Sequence, residues 1–189
     1  MPGLALWGLE RAPALAALAR RNAAQAGIAL TVAEGCVAAP PRPLRQIVFD
    51  HVIVNPPYFR REESVAGPDR LREGAMGEAT PLAAWLATAA RRLKPRGWLT
   101  LIHRAERLAD LLAALGPLGS VQIQPLAPRA GRDAGLVLLR ARKDGRAPLR
   151  LHAPVILHAG ARHAADGEDY TEPVARVLRC GAPLPGFGD

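Results

Sequence analysis

Apolar runs separated by glycine, proline and charged residues recur along the 189 residues, and their periods alternate between strand and helix. "LALWGLE" (4–10) is a short apolar run ending on an acid and predicts a buried strand. Pro13 suits a first helical turn, and Leu15, Leu18, Ala19, Asn22 and Ala26 follow at helical spacing. Arg20, Arg21 and Gln25 then face water, and Gly27 supplies a left-handed stop. "IALTVAEG" (28–35) predicts a second strand, and "APPRP" (39–43) a loop, because prolines at that density disfavour regular structure. "IVFDHVIV" (47–54) predicts a further buried strand. Residues 56–79 are polar, charge-balanced and aperiodic; a loop of that length is usually functional or disordered.

After this segment Thr80 is placed to cap a helix whose apolar stripe is Leu82, Trp85, Leu86, Ala89 and Leu93. "KPRG" (94–97) predicts a turn into a strand at 98–103, followed by a helix over 105–115 that stops at Gly116. Residues 120–126 and 134–142 read as two strands, residues 148–157 as a further one, and a short helix begins near Thr171 and Glu172. Strands alternating with helices predict a parallel α/β sheet with an antiparallel strand pair near the C-terminal end. One domain over 1–180 with a flexible tail at 181–189 is the expected organisation.

Composition changes this picture in one respect. The formal charge is +8, and the only lysines are Lys94 and Lys143, so the positive charge is almost all arginine. It is concentrated in residues 91–107, with Arg91, Arg92, Lys94, Arg96, Arg104 and Arg107, and in 129–150, with Arg129, Arg132, Arg140, Arg142, Lys143, Arg146 and Arg150. Such clusters either neutralise phosphates or form a solvated basic surface. Cys36 and Cys180 stand far apart with no paired-cysteine motif, the pattern of free thiols in a reducing cytoplasm, and no zinc site is expected. No run is apolar enough to span a bilayer, and the N-terminal residues show no secretory pattern, so a cytoplasmic location is expected.

The candidate chemistry lies in "FDHVIVNPPYF" (49–59). An amine conjugated to an aromatic ring is a poor nucleophile because its lone pair is delocalised. Two acceptors placed on its two N–H groups favour a geometry that frees the lone pair. Asn55 offers a side-chain oxygen and Pro56 a backbone carbonyl, held rigidly because Pro56 and Pro57 have fixed φ. Tyr58 can stack on a flat base. This is catalysis by positioning and preorganised electrostatics. The alternative is turn chemistry that merely closes a strand. The position after a strand in an α/β pattern favours a site, since ligands gather at strand C-termini. His103, at another strand end, is expected to be structural, and Trp85 and Trp98 are expected in the core.

"DHVIVNPPYF" resembles motif IV of the amino-methyltransferases that use S-adenosylmethionine. "LKPRGWLTLIH" resembles the turn and fifth strand of that Rossmann-like class, and "LWGLERAPALAALARRNAAQAG" its second strand and following helix. The order of elements, with "DYTEPVARVLR" (169–179), is most similar to bacterial adenine-N6 methyltransferases of valine tRNA. The resemblance implies a class I methyltransferase sheet that lacks its first strand and glycine-rich loop. It implies S-adenosylmethionine as cofactor, with Glu10 on the ribose hydroxyls and Gly35, Cys36, Val37 and Asn55 completing the site. Cys36 stands where the family usually has an aspartate, and a thiol accepts a hydrogen bond only weakly. It further implies RNA, tRNA in particular, as substrate, with Asn55, Pro56, Pro57 and Tyr58 as catalytic residues; the two basic clusters then offer Arg91, Arg92, Arg140, Arg142 and Arg146 as RNA contacts. Two alternatives stand beside it: a protein glutamine N5-methyltransferase, which also methylates a planar amide, and an inactive RNA-binding or structural remnant. The unpaired edge left by the absent strand suggests a homodimer.

Overall fold

β1 (Leu6–Glu10) and β2 (Leu30–Glu34) form a two-stranded parallel sheet in which Leu6 pairs with Leu30 and Glu10 with Glu34. In this computed structural model residues 3–57, 80–162, 168–184 and 186 are described, and they divide into two units, one up to Phe49 and one from Asp50 on. In the first unit α1 (Pro13–Gln25) joins the two strands; Pro13 opens it and Gly27, at φ 65°, ends it. The residues it buries are Ala16 and Ala23, whereas Leu15 and Leu18 are exposed, which corrects the expected apolar stripe. The helix is alanine-rich and covers only two strands, so the small residues make the close contact. Arg20 clamps it by donating to the Val32 carbonyl at 2.7 Å and to Glu34 at 2.8 Å.

The proline-dense stretch also departs from expectation. Pro41 precedes the short helix α2 (Arg42–Arg45), with Pro43 inside its first turn. The first amides of a helix have no intrahelical acceptor, so proline costs little there.

The second unit is built on a six-stranded sheet with the order β3-β4-β6-β5-β7, and β8 pairs separately with β5. Its strands are β3 (Phe49–Val54), β4 (Leu93–Arg104), β5 (Leu118–Ala127), β6 (Leu136–Lys143), β7 (Arg150–Leu151) and β8 (Val155–Ile156). β6 runs antiparallel to both β4 and β5, so the expected antiparallel pair is present. The expected strand at 148–157 is two short pieces, each parallel to β5. Gly119 and Gly145 approach so closely at the β5 bulge that a Cβ on Gly119 would collide with the Gly145 carbonyl.

α3 (Leu82–Arg92) packs Leu82, Leu86 and Ala89 on this sheet, and α4 (Leu108–Ala113) adds Leu111. Alternate residues of β4 and β6, among them Leu99, Leu101, Leu139 and Ala141, fill the same core. Pro81, one residue after the expected Thr80, occupies the N-cap position of α3. The turn expected at "KPRG" is absorbed into β4, where Arg96 adopts φ 63°. The helix expected over 105–115 is a 3-10 turn at Ala105–Arg107 followed by α4, and α5 (Glu172–Cys180) follows Thr171 as expected.

Neither strand expected to be buried is so. Leu6 of β1 is 39% exposed. On β3, Val52 and Val54 pack on the core, while Ile53 is 81% exposed. Each strand has only one hydrogen-bonded neighbour among the described residues, β2 for β1 and β4 for β3. No helix among them is long and apolar enough to cross a membrane.

Candidate active site

The direction of β3 follows from its contacts. Lys94, near the start of β4, donates to Asp50, near the start of β3, at 2.9 and 3.0 Å. Gly97 lies so near the Asp50 carbonyl that an added Cβ would sit 3.0 Å from it. The two strands therefore start at one edge of the sheet and end at the other. Lys94 also holds the Asp50 carboxyl below its ordinary value through this hydrogen bond.

Asn55 follows β3 at the far edge, together with the end of β4 at Arg104. Its residue is exposed, whereas Pro56 is fully buried and Pro57 half-buried. The buried proline anchors the turn and leaves the carboxamide outside it. Asn55 makes no side-chain hydrogen bond among the described residues, so its two-acceptor, two-donor amide is available to a ligand. Tyr58 lies outside the described residues.

The expected cofactor residues of the first unit gather where β1 and β2 end. One Glu10 carboxylate oxygen accepts from the Ala12 amide at 2.7 Å, just ahead of α1. Its other oxygen makes no hydrogen bond among the described residues. The Gly35 amide donates to the Glu10 carbonyl at 2.9 Å, which ties the two strand ends together. A Cβ on Gly35 would stand 2.9 Å from the Pro41 ring, so this turn requires glycine. Cys36 is half-buried and forms a bridge with Ala39, and Val37 is half-buried beside it. Both cysteines are free thiols. The set places an open carboxylate oxygen, suited to a diol, beside a tight glycine turn.

The arginines expected to contact RNA occupy the opposite edge of the second sheet from Asn55. Arg91 and Arg92 end α3 directly before β4 begins, and Arg142 pairs in register with Trp98 near the start of β4. Trp98 is not a core residue. It is half-buried beneath the guanidinium of Arg140 at 4.5 Å, with Arg142 at 5.5 Å. Burial depresses the pKa of Arg140 from its ordinary value, yet an arginine stays charged. His103 is fully buried, and its Nδ1 accepts from the Arg104 amide, in keeping with a structural role.

Sequence reasoning missed one polar cluster at the end of β5. Arg129 donates to Asp169 at 2.5 Å and to the carbonyls of Ala159 and Gly160. His158 Nδ1 lies 2.6 Å from the same carboxylate, and its ring stacks on Tyr170 with centroids 5.0 Å apart. Arg129 lies 30 to 40 residues from its partners and His158 lies 11 from Asp169, so no local spacing shows them; only "DYT" hinted at the segment.

No family model matches the chain. A tRNA1(Val) (adenine(37)-N6)-methyltransferase from Porphyromonas gingivalis is 34% identical over 117 residues, which are 58% of this chain and 44% of the relative. The chain thus spans less than half the length of the curated relatives it matches. Among solved structures, a protein described as a predicted O-methyltransferase from Agrobacterium tumefaciens superposes with a TM-score of 0.68 at 28% identity, covering 90% of this chain and 75% of that one. A glycopeptide N-methyltransferase complexed with S-adenosylhomocysteine superposes with a TM-score of 0.51 at 13% identity, covering 75% and 74%, which is a likeness of fold alone. With its helices, mixed sheet and antiparallel strand pair, the chain carries the Rossmann-like α/β fold of the class I S-adenosylmethionine-dependent methyltransferases.

Proposed function

We propose that this chain belongs to an S-adenosylmethionine-dependent methyltransferase that modifies the exocyclic amine of adenine in RNA, tRNA in particular. The observation that carries the reading is the exposed Asn55 carboxamide on a turn anchored by the buried Pro56 at the sheet's C-terminal edge. The curated relative's activity on tRNA adenine supports the choice of substrate.

The cofactor supplies an electrophilic methyl on a sulfonium, so no strong base is needed to drive attack. Asn55 accepts one N–H of the substrate amine through its side-chain oxygen, and the Pro56 carbonyl accepts the other. With both protons held, the nitrogen lone pair turns out of conjugation towards the methyl group. The bound cofactor would supply the methyl and keep the sulfur–carbon bonding pair as its sulfur leaves, and the methylated amine would release one proton to solvent. Pro57 keeps the Pro56 carbonyl from rotating, and Tyr58 stacks on the base. Glu10 binds the ribose hydroxyls of the cofactor, and the turn from Gly35 to Val37 holds its adenine, with Cys36 a weak partner there. This division of labour is catalysis by placement.

The test is transfer of labelled methyl to unmodified tRNA at saturating cofactor, with a release factor as the competing substrate. N6-methyladenosine in the tRNA alone is the expected product. Methylated glutamine in the release factor, with unmodified tRNA, would overturn the reading in favour of a protein methyltransferase.

A further inference from the structure

The two basic stretches of the sequence meet in space. Arg142 donates to the Arg96 carbonyl at 2.9 Å, and Lys143 donates to the Leu93 carbonyl at 2.8 Å. These bonds seam the end of β6 to the start of β4, so Arg91 to Arg96 of one cluster and Arg142 to Arg146 of the other form one patch at the edge where β4 begins. Arg91, Lys94, Arg96 and Arg146 are exposed there, and Arg142 and Lys143 half-exposed. The acids described beside them are Asp50, paired with Lys94, and Asp144. The edge that carries Asn55 is different. There Arg104 is paired with Glu106 at 2.9 Å, Arg107 with Asp110 at 2.7 Å and Arg129 with Asp169 at 2.5 Å, leaving Arg132 as the exposed cation of the β5–β6 loop. Among the described residues of the second unit, uncompensated positive charge is thus concentrated away from the proposed chemistry. The register from Trp98–Arg142 to Arg104–Leu136 spans six residues of strand, or about 20 Å.

We propose that this patch is an anchoring surface for the phosphate backbone of the RNA, gripping a stretch other than the one that holds the target base. The proposal rests on the reading of the substrate as RNA. Phosphates recur every few ångströms along an RNA chain, and a row of arginines matches them without reading sequence. Trp98 holds the guanidinium groups of Arg140 and Arg142 in place, which lowers the ordering cost of presenting them. A substrate that satisfies both edges must reach about 20 Å across the sheet, so the anchored phosphates lie several nucleotides from the target base.

The experiment measures binding of unmodified tRNA to the 189-residue chain by fluorescence anisotropy over a salt series. Arg96→Gln/Arg146→Gln is the informative variant, because both side chains are exposed and the fold should tolerate their loss. Affinity should fall about tenfold and the slope of log K against log salt should flatten by about 2. Arg11→Gln/Arg21→Gln, two exposed arginines of the first unit, should leave both quantities unchanged. Asn55→Ala removes no charge and should lower methyl transfer without flattening the salt slope, so loss of chemistry and loss of anchoring read out separately. Equal weakening by both double variants would mean diffuse charge and would sink the proposal, as would tRNA binding indifferent to the Arg96 and Arg146 changes. If methyl transfer is absent but the patch variant alone weakens tRNA, the anchor stands without the enzyme reading.

Discussion

At the scale of single residues, burial divides the turn, with the Pro56 ring anchoring it and the Asn55 side chain open to a ligand. Pro56 is fully buried and Asn55 exposed, so Asn55→Ala should lower methyl transfer at least a hundredfold, the order expected for loss of a positioned hydrogen-bonding group. The same variant should melt within a degree or so of the parent, because an exposed side chain outside any network contributes little to stability. A variant that unfolds while its folded fraction keeps full activity would make the turn purely structural. Glu10 carries two roles that substitution can divide. Glu10→Gln keeps an oxygen for the Ala12 amide and should change cofactor binding alone, whereas Glu10→Ala should also cost about 1 kcal/mol of stability, as for a lost helix cap. Thermal melts with and without S-adenosylmethionine distinguish the two.

At the scale of elements, β3 and the strands behind it show which face matters. Leu139 is fully buried at the centre of the sheet, and Leu139→Ala should cost about 2–5 kcal/mol in a denaturant titration. Ile53→Ser, on the exposed face of β3, should cost much less. The Lys94–Asp50 pair at the start of the same strands has a sign that can be checked. Because Lys94 depresses the folded-state pKa of Asp50, the pair's stabilisation is present above the ordinary carboxylate range and is lost as pH falls through the folded-state value. Asp50→Asn should therefore melt slightly lower than the parent at neutral pH, and the difference should vanish in acid. The effect is small, since both side chains are largely solvated.

At the scale of the whole molecule, the described structure has two sheets, and β1 and β3 each have an edge with no strand partner among the described residues. An exposed edge of this kind is a template for pairing with another chain, so self-association that rises with concentration is expected in sedimentation experiments, and Ile53→Ser should weaken it. Cofactor affinity is expected to be poor. Glu10 and the Gly35–Val37 turn are the candidates for its adenosine end, with a thiol as one of the partners. Calorimetric titration should find binding weaker than micromolar, and a micromolar site at one per monomer would show that other groups hold the ligand.

Much of this was legible in local pattern. Pro13 and Gly27 bracket a helix whatever lies around them, because one fixes φ and the other permits its positive value. The alternation of strand and helix implied the α/β class, and the NPP segment was legible as the exit from a strand, since Asn55 directly follows β3. Burial was not legible, since an apolar run such as 47–54 reads the same whether one or both of its faces are covered. Local pattern also misjudged Leu15 and Leu18, which helical spacing alone placed on the inner face. Only the tertiary structure decided that Trp98 lies under two guanidinium groups, that His158, Asp169 and Arg129 share one network, and that parts of two distant arginine clusters form one patch at the edge opposite Asn55. Periodicity records how neighbours along the chain point; hydrogen-bonded register, set by strand order, decides which distant residues meet.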